Sequence, residues 1–147
     1  MKATPSNIDC FEMAAAAVLG LAYSSFPYPQ DVFTDELIKE LLASGRIPDS
    51  CIRPELERYG PNLIAATIDW LTAEGLVRHQ DRTETGIRFR AVCLTASGFR
   101  ALNSPVVPRS GGETYGERIA RFSQGAASTV ITSVISGIIT AAATPGN

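Results

Sequence analysis

The feature that most constrains the fold is one pair of strand patterns set between helical patterns. The stretch LVRHQ (76–80) predicts a strand, DRTETG (81–86) a turn, and IRFRAVCLT (87–95) the returning strand. Alternation along the returning strand gives it an apolar face and a basic face: Ile87, Phe89, Ala91 and Cys93 on the first, Arg88 and Arg90 on the second. Because helical patterns dominate the rest of residues 1–103, we expect a mainly α domain with one small β-hairpin.

Two helical patterns precede this region at the start of the chain. SNIDCFEMAAAAVLGLAYSSFP (6–27) begins with the capping residues Ser6, Asn7 and Asp9, and its alanine-rich centre predicts a core helix that stops before the prolines. TDELIKELLASG (34–45) predicts a second helix that is capped by Thr34 and ends at Gly45. The segment between residues 46 and 60 predicts at most a short helix after Pro54.

The third and fourth helices flank the hairpin. PNLIAATIDWLTAEG (61–75) places Pro61 at a first helical position, with Ile64, Ile68 and Leu71 on its inner side. Its outward positions are predicted to be Asn62, Ala65, Ala66 and Asp69, and Trp70 is expected to pack in the interior. TASGFRALN (95–103) predicts a short closing helix capped by Thr95.

This order of elements resembles the winged helix-turn-helix superfamily, over residues 8–103. Two stretches carry the resemblance to bacterial regulators of the MarR and PadR kind: LTAEGLV (71–77), which enters the hairpin wing, and LTASGFRAL (94–102), which leaves it. The resemblance implies that the third helix lies in the major groove of DNA while the wing contacts the backbone or the minor groove. It implies little about function, because the fold serves many tasks.

The residue types give evidence both for and against nucleic-acid binding. The candidate contacts are one asparagine at the start of the third helix and the wing arginines: Asn62, Arg78, Arg82, Arg88 and Arg90. The third helix carries no lysine or arginine, and Asp69 would repel phosphate. The wing arginines are equally well explained by cross-strand ion pairs, such as Arg82 with Glu84 or Arg88 with Asp81.

The C-terminal part of the chain has a different residue pattern from the preceding domain. Residues 104–117 predict a linker, and residues 118–143 predict an apolar helix with a β-branched stripe: Val130, Ile131, Val134, Ile135, Ile138 and Ile139. Three interpretations stay open. The stripe packs on the chain's own domain or on a second copy, the segment 122–143 crosses a membrane, or TVITSVISGIIT (129–140) pairs as strands.

No motif in the sequence indicates catalysis, a cofactor or a metal. There is no nucleotide-binding loop or hydrolase motif, and His79 is the only histidine. The three cysteines, Cys10, Cys51 and Cys93, are far apart and form no CxxC pair, which predicts free thiols in a reducing cytoplasm. The start of the chain does not have the pattern of a signal peptide.

We therefore expect a non-enzymatic winged-helix interaction protein, cytoplasmic, whose C-terminal helix drives self-assembly or membrane attachment. The alternative is a dimeric DNA-binding transcriptional regulator that uses helix 61–75 and the wing arginines. The net charge of −2 argues against a wholly basic nucleic-acid coat but leaves room for a basic patch. The expected partner is a second copy of the chain, with a different protein, duplex DNA and a membrane as further possibilities.

Overall fold

The computed structural model describes residues 5–58, 60–106, 112–123 and 132–143. Within these ranges the chain is mainly helical with one small antiparallel sheet, which confirms the coarse fold class. The elements in chain order are α1 Asn7–Ser25, β1 Gln30–Phe33, α2 Thr34–Ala43, a 3-10 turn Asp49–Cys51, α3 Pro54–Glu57, α4 Leu63–Ala73, β2 Val77–Arg78, β3 Asp81–Arg82, β4 Arg88–Leu94, α5 Ala96–Leu102, α6 Tyr115–Ser123 and α7 Thr132–Ala143.

Helix α1 lies at the centre of the domain. It starts at a capping box, in which the Ser6 hydroxyl accepts from the Asp9 N–H and the Asp9 carboxylate accepts from the Ser6 N–H. Every residue from Met13 to Gly20 is buried, because α4, α6, α7 and β4 pack on different sides of the helix. A helix that is apolar on all sides is typical of such a central position. The predicted core helix is confirmed.

The same helix is the one described helix long and apolar enough to cross a membrane, judged by length and composition alone. In this structure 56 % of its most apolar window is buried inside the domain. Buried core helices of soluble proteins share this composition.

The sheet contains more than the predicted hairpin. Its strand order is β1–β4–β2, and β3 also pairs with β4, all antiparallel. Strand β1 was not predicted, since QDVF is only four residues long and directly follows a proline. The expected turn over 81–86 was wrong at its start, because Asp81 and Arg82 pair with Arg90 and Phe89.

A β-bulge in β4 breaks the predicted alternation. Gln30 pairs with Val92 but Val32 pairs with Phe89, so β4 has one residue more than β1 in this interval. Ala91 takes up the extra length with a positive φ of 59°. As a result Val92 is buried where Ala91 was expected. Ile87, which was also expected on the apolar face, precedes β4 and is 47 % exposed.

Two predicted helix starts shift in the structure. Helix α4 begins at Leu63 after an N-cap at Asn62, so Pro61 lies before the helix. Its inner residues Ile64, Ile68 and Leu71 are fully buried as predicted, but Ala65, which was expected to face outwards, is buried too. Helix α2 begins at Thr34 itself, and no side chain caps it.

The described part of the C-terminal segment folds back on the domain. Helix α6 packs on α1, and α7 packs on α5, α1 and α6. The segment expected as one helix over 118–143 contains most of α6 and all of α7, with residues 124–131 outside the described ranges. Part of the expected linker is ordered, because Pro105 pairs with Thr114 and α6 already starts at Tyr115.

A disulfide joins Cys10 in α1 to Cys51 in the 3-10 turn, with a Cα–Cα distance of 5.5 Å. The expectation of three free thiols was therefore wrong for two of them, and only Cys93 is free, in a buried position. The two half-cystines are 41 residues apart, so only tertiary folding brings them together. Disulfides persist mainly in oxidising compartments. The cytoplasmic assignment stays a prediction, one that this bond does not support.

Reduction of the disulfide is expected to lower the free energy of unfolding by about 4 kcal/mol. The bond joins residues 41 positions apart and so restricts the conformations of the unfolded chain, and reduction removes that restriction. In a chain of this size the melting temperature should fall by about 10 °C. Thermal unfolding with and without a dithiol reductant measures the effect. A Cys10→Ser plus Cys51→Ser variant should melt low in both buffers. Equal melting temperatures for the native chain in both buffers would contradict the bond's stabilising role.

Ala91→Gly is expected to stabilise the protein by about 1 kcal/mol, because glycine adopts a positive φ without the steric cost that a Cβ atom imposes. Urea unfolding measures the change. Ala66→Gly, at an exposed position in the middle of α4, is the matched control and should destabilise by about 1 kcal/mol. The bulge geometry is wrong if both substitutions destabilise to the same extent.

Candidate functional site

Three of the four wing arginines that were predicted to contact nucleic acid are engaged in ion pairs within the chain. Arg88 lies 2.7 Å from Asp31 of β1, Arg90 lies 2.9 Å from Asp81 of β3, and Arg82 lies 3.3 Å from Asp69 of α4. The predicted pairs of Arg82 with Glu84 and of Arg88 with Asp81 were wrong. Strand β1 and helix α4 supply the carboxylates that pair with Arg88 and Arg82, and no local sequence pattern indicates that these two elements approach the wing.

Two of these arginines also pack on aromatic rings. The Arg82 guanidinium lies 4.9 Å from the centre of the Phe89 ring, and that of Arg88 lies 5.4 Å from the centre of the Phe33 ring. Each guanidinium is thus held between a ring and a carboxylate. Arg78 on β2 is exposed, and within the described residues no ion pair involves it.

Asn62 has a structural role that occupies its side chain. Its Oδ1 accepts from the Ala65 N–H at 2.8 Å, and its Nδ2 donates to the Thr34 hydroxyl at 2.9 Å and to the Asp35 carboxylate at 3.0 Å. The Thr34 hydroxyl in turn donates to the Gly86 carbonyl at 2.5 Å. This is why Thr34 does not cap α2. The network joins α4, α2 and the wing turn.

The outward side of α4 is apolar. Ala66, Trp70 and Ala73 are exposed at helical spacing, and we call these three residues the α4 face. Trp70 was expected to be interior, but it is 38 % exposed and leans edge-on against Phe11 of α1, with 5.1 Å between ring centres. Helix α4 contains no lysine or arginine that could bind a phosphate.

A groove of about 250 Å³ adjoins the α4 face. It lies between the start of α1, the segment 51–57 and the start of α4, and its lining is mostly apolar. The disulfide forms part of the wall, and Arg53 and Glu57 are the two charged residues in the lining. The other lining residues include Asn7, Leu56, Leu63 and Ala66. Leu56 is 61 % exposed, so an apolar side chain borders the groove on the solvent side.

Two carboxylates are partly desolvated, one in the lining of the groove and one elsewhere on α1. Burial raises the pKa of Glu57, which lines the groove, and the charge of Asp35 adds to the rise. Burial also raises the pKa of Glu12 on α1, with a further contribution from Asp9. The Glu12 Oε2 atom is buried and has no hydrogen-bond partner in the described structure.

The apolar stripe of the C-terminal segment is mostly inside the domain. Val134, Ile135 and Ile138 are buried in the core formed with α1, and Ile139 is partly buried against it. Val130 and Ile131 lie outside the described residues. Packing on the chain's own domain, one of the interpretations left open by the sequence, is the arrangement seen in the described part of this stripe.

The described residues contain no group of three or more side chains arranged to hold a metal ion. A second cavity, of about 500 Å³, lies between α5, α6 and α7. Its lining contains hydroxyl and small apolar side chains, with Tyr115 as the one titratable group. The α4 face and its groove therefore combine apolar and charged groups in a way that the second cavity does not.

The pKa of Asp31 is lowered, first by the hydrogen bond from Arg88 and then by the N–H of Ala91. A carboxyl with a lowered folded pKa adds stability above its ordinary value of 3.8, and this stability is lost as the pH falls through the folded pKa. We expect the free energy of unfolding of Asp31→Asn to fall less steeply than that of the native chain as the pH decreases below about 4. Urea unfolding at several pH values measures this, with Glu84→Gln as control. An unchanged slope in Asp31→Asn would refute the coupling.

Comparison with known protein families, with curated proteins and with solved structures finds no significant match to this chain.

Proposed function

We propose that the chain is a non-enzymatic interaction module of the winged-helix type that binds a protein through the α4 face. The observation that carries the proposal is the chemistry of α4. The helix in the position of a DNA-reading helix exposes Trp70 between two alanines and carries no lysine or arginine. Aromatic side chains are enriched at protein interfaces, whereas affinity for DNA comes mainly from cations that neutralise phosphates.

The winged-helix part of the proposal is supported by the order of elements. Three principal helices, α1, α2 and α4, precede the hairpin, and α5 follows it, as in the resemblance drawn from the sequence. The two stretches that carry the resemblance add support through the elements that they connect. LTAEGLV connects α4 to β2, and LTASGFRAL connects β4 to α5.

The alternative, a dimeric DNA-binding regulator, has less support. Arg82, Arg88 and Arg90 would have to leave carboxylate partners to bind phosphate, and Asn62 would have to leave the cap of α4. Arg78 alone among the five candidates has no such partner in the described structure. One exposed arginine supplies little of the counterion release that drives nonspecific DNA binding.

Self-assembly or membrane attachment through the C-terminal stripe is not the route we favour. Val134, Ile135 and Ile138 are each no more than 1 % exposed, so they offer no surface until α7 leaves the domain. Undocking of α7 would expose apolar core residues of α1 and α6 to water, at a cost of about 25 cal/mol for each Å². The α4 face is exposed without any such rearrangement.

The first test is a titration of the full chain with fluorescent duplex DNA at about 50 and 200 mM salt. We expect no specific complex at the higher salt, because the wing carries few available cations. Tight binding that weakens steeply with salt and is lost in Arg88→Ala plus Arg90→Ala would overturn the proposal in favour of the regulator.

The second test places a photo-crosslinking residue at position 73 on the α4 face, or at position 84 in the wing turn as the control, in lysate of the source cells. We expect position 73 to give a discrete protein adduct that Trp70→Asp removes, and position 84 to give none. Both positions are exposed, so general stickiness would label them alike. Adducts only from position 84 would contradict the assignment to α4.

A further inference from the structure

We propose that the bond between Cys10 and Cys51 is a thiol–disulfide switch. An external dithiol reduces the bond in the native protein and releases residues 48–60 from α1, and reoxidation restores their attachment. The observations behind this switch are the burial pattern of residues 48–60, the weak contacts that otherwise hold them, and the groove that both half-cystines line. The switch does not depend on the proposed function, and only its effect on binding rests on that function.

The half-cystine is the buried anchor of its segment. Among the described residues from Pro48 to Gly60, Cys51 is the only buried one, and none of the four residues of α3 is buried. The segment follows Ile47, which is 1 % exposed in the core, and it leads into α4. Between these two fixed ends, the covalent bond to α1 is the main attachment of the segment.

Noncovalent contacts attach the segment through Ile52 and Glu57. Ile52 packs partly buried against the core, and the Glu57 carboxylate accepts a hydrogen bond from the Leu63 N–H. Most of the other described residues of the segment are exposed, and contacts between exposed groups stabilise little. Such contacts are weak compared with the conformational entropy that residues 48–60 gain on release. Weakly held segments open locally while the rest of a domain stays folded.

The groove gives a reductant access to the bond. It has a volume of about 250 Å³, and both half-cystines line it. Leu56, which also lines the groove, is exposed to solvent. Thiol–disulfide exchange requires that a thiolate reach one of the two sulfur atoms, so an open groove at the bond permits the reaction in the folded protein. The free thiol of Cys93 is buried and is not part of this lining, so the reductant must supply both thiols.

The reaction consists of two exchange steps. A thiolate of the dithiol attacks one sulfur of the Cys10–Cys51 bond, this S–S bond breaks, and the departing sulfur leaves as a thiolate that takes a proton. The second thiolate of the reductant then attacks the resulting mixed disulfide and frees the other cysteine, which also takes a proton. Two electrons and two protons pass to the protein, and the dithiol is oxidised to a disulfide.

Release of the segment uncovers surface beside the α4 face. Leu63 and Ala66 on α4 and Cys10 on α1 line the groove opposite residues 51–57, and they lose this wall when the segment leaves. Because Ala66 also belongs to the α4 face, the new surface is continuous with it. If the α4 face binds a protein, the redox state of the bond then controls how much surface that protein can contact.

The first experiment measures reduction of the full native chain by dithiothreitol without denaturant, followed by alkylation of the new thiols and mass spectrometry. We expect complete reduction, which oxidised dithiothreitol reverses. Ala66→Phe narrows the groove and should slow the reduction at least about threefold. Ala73→Phe, at an exposed position of the same helix outside the groove lining, is the matched control and should leave the rate unchanged.

Hydrogen exchange of the backbone N–H groups measures the release. After reduction, we expect the N–H groups of residues 48–60 to exchange within about tenfold of the rate of an unstructured chain. Residues 13–20 of α1 should stay protected at least about a hundredfold. Cys10→Ser plus Cys51→Ser should exchange like the reduced chain in both buffers, and Cys93→Ala should respond to the dithiol as the native chain does.

Four outcomes would overturn the inference. Reduction that occurs only in denaturant, equal rates for the two phenylalanine variants, or unchanged protection of residues 48–60 after reduction would each make the bond a purely structural crosslink. Loss of protection throughout α1 would show that reduction unfolds the domain instead of releasing one segment. None of these results bears on the proposed function, which fails separately if duplex DNA binds or if position 73 gives no adduct.

Discussion

The burial of α1 on all sides is the constraint on which the rest of the structure depends. Four consecutive alanines, Ala14 to Ala17, are at most 3 % exposed, and their small side chains let neighbouring elements come close to the helix. Helices α4, α6 and α7 and strand β4 all use this surface. Interiors pack at the density of organic crystals, so a larger side chain in this run would displace several elements at once.

The sheet is held to this core by polar contacts made around β1. Asp31 binds both the Arg88 guanidinium and the N–H of Ala91, which fixes the bulge that turns Val92 inwards. The next strand residues lead directly into α2, where the Thr34 hydroxyl joins Asn62 and the wing turn. The residues that look from the sequence like nucleic-acid contacts are thus the ones that hold the wing against the helices.

The α4 face, which takes no part in these contacts, is the surface that we assign to protein binding. Because Arg82, Arg88 and Arg90 of the wing are paired with Asp69, Asp31 and Asp81, the exposed side of α4 is left with the apolar residues of the α4 face. The disulfide adds rigidity to the same region, since it links the start of α1 to the segment that carries α3. Core packing, ion pairing and the candidate interface are therefore consequences of the same few contacts.

The sequence by itself determined the elements whose signals are local. Capping residues and apolar periodicity were sufficient to locate α1, α2, α4, α5 and the hairpin, because a helix start or a strand alternation is encoded within a few residues. Only the tertiary structure decided what depends on distant residues. These features are the pairing of β1 with β4 and the resulting bulge, the partners of Arg82 and Arg88, the bond between Cys10 and Cys51, and the docking of α7 on the domain. Each of them joins groups that are at least 13 residues apart, the separation of Asp69 from Arg82, and most join groups that are tens of residues apart. No local pattern records which of the available carboxylates, thiols or apolar faces will meet when the chain closes around α1.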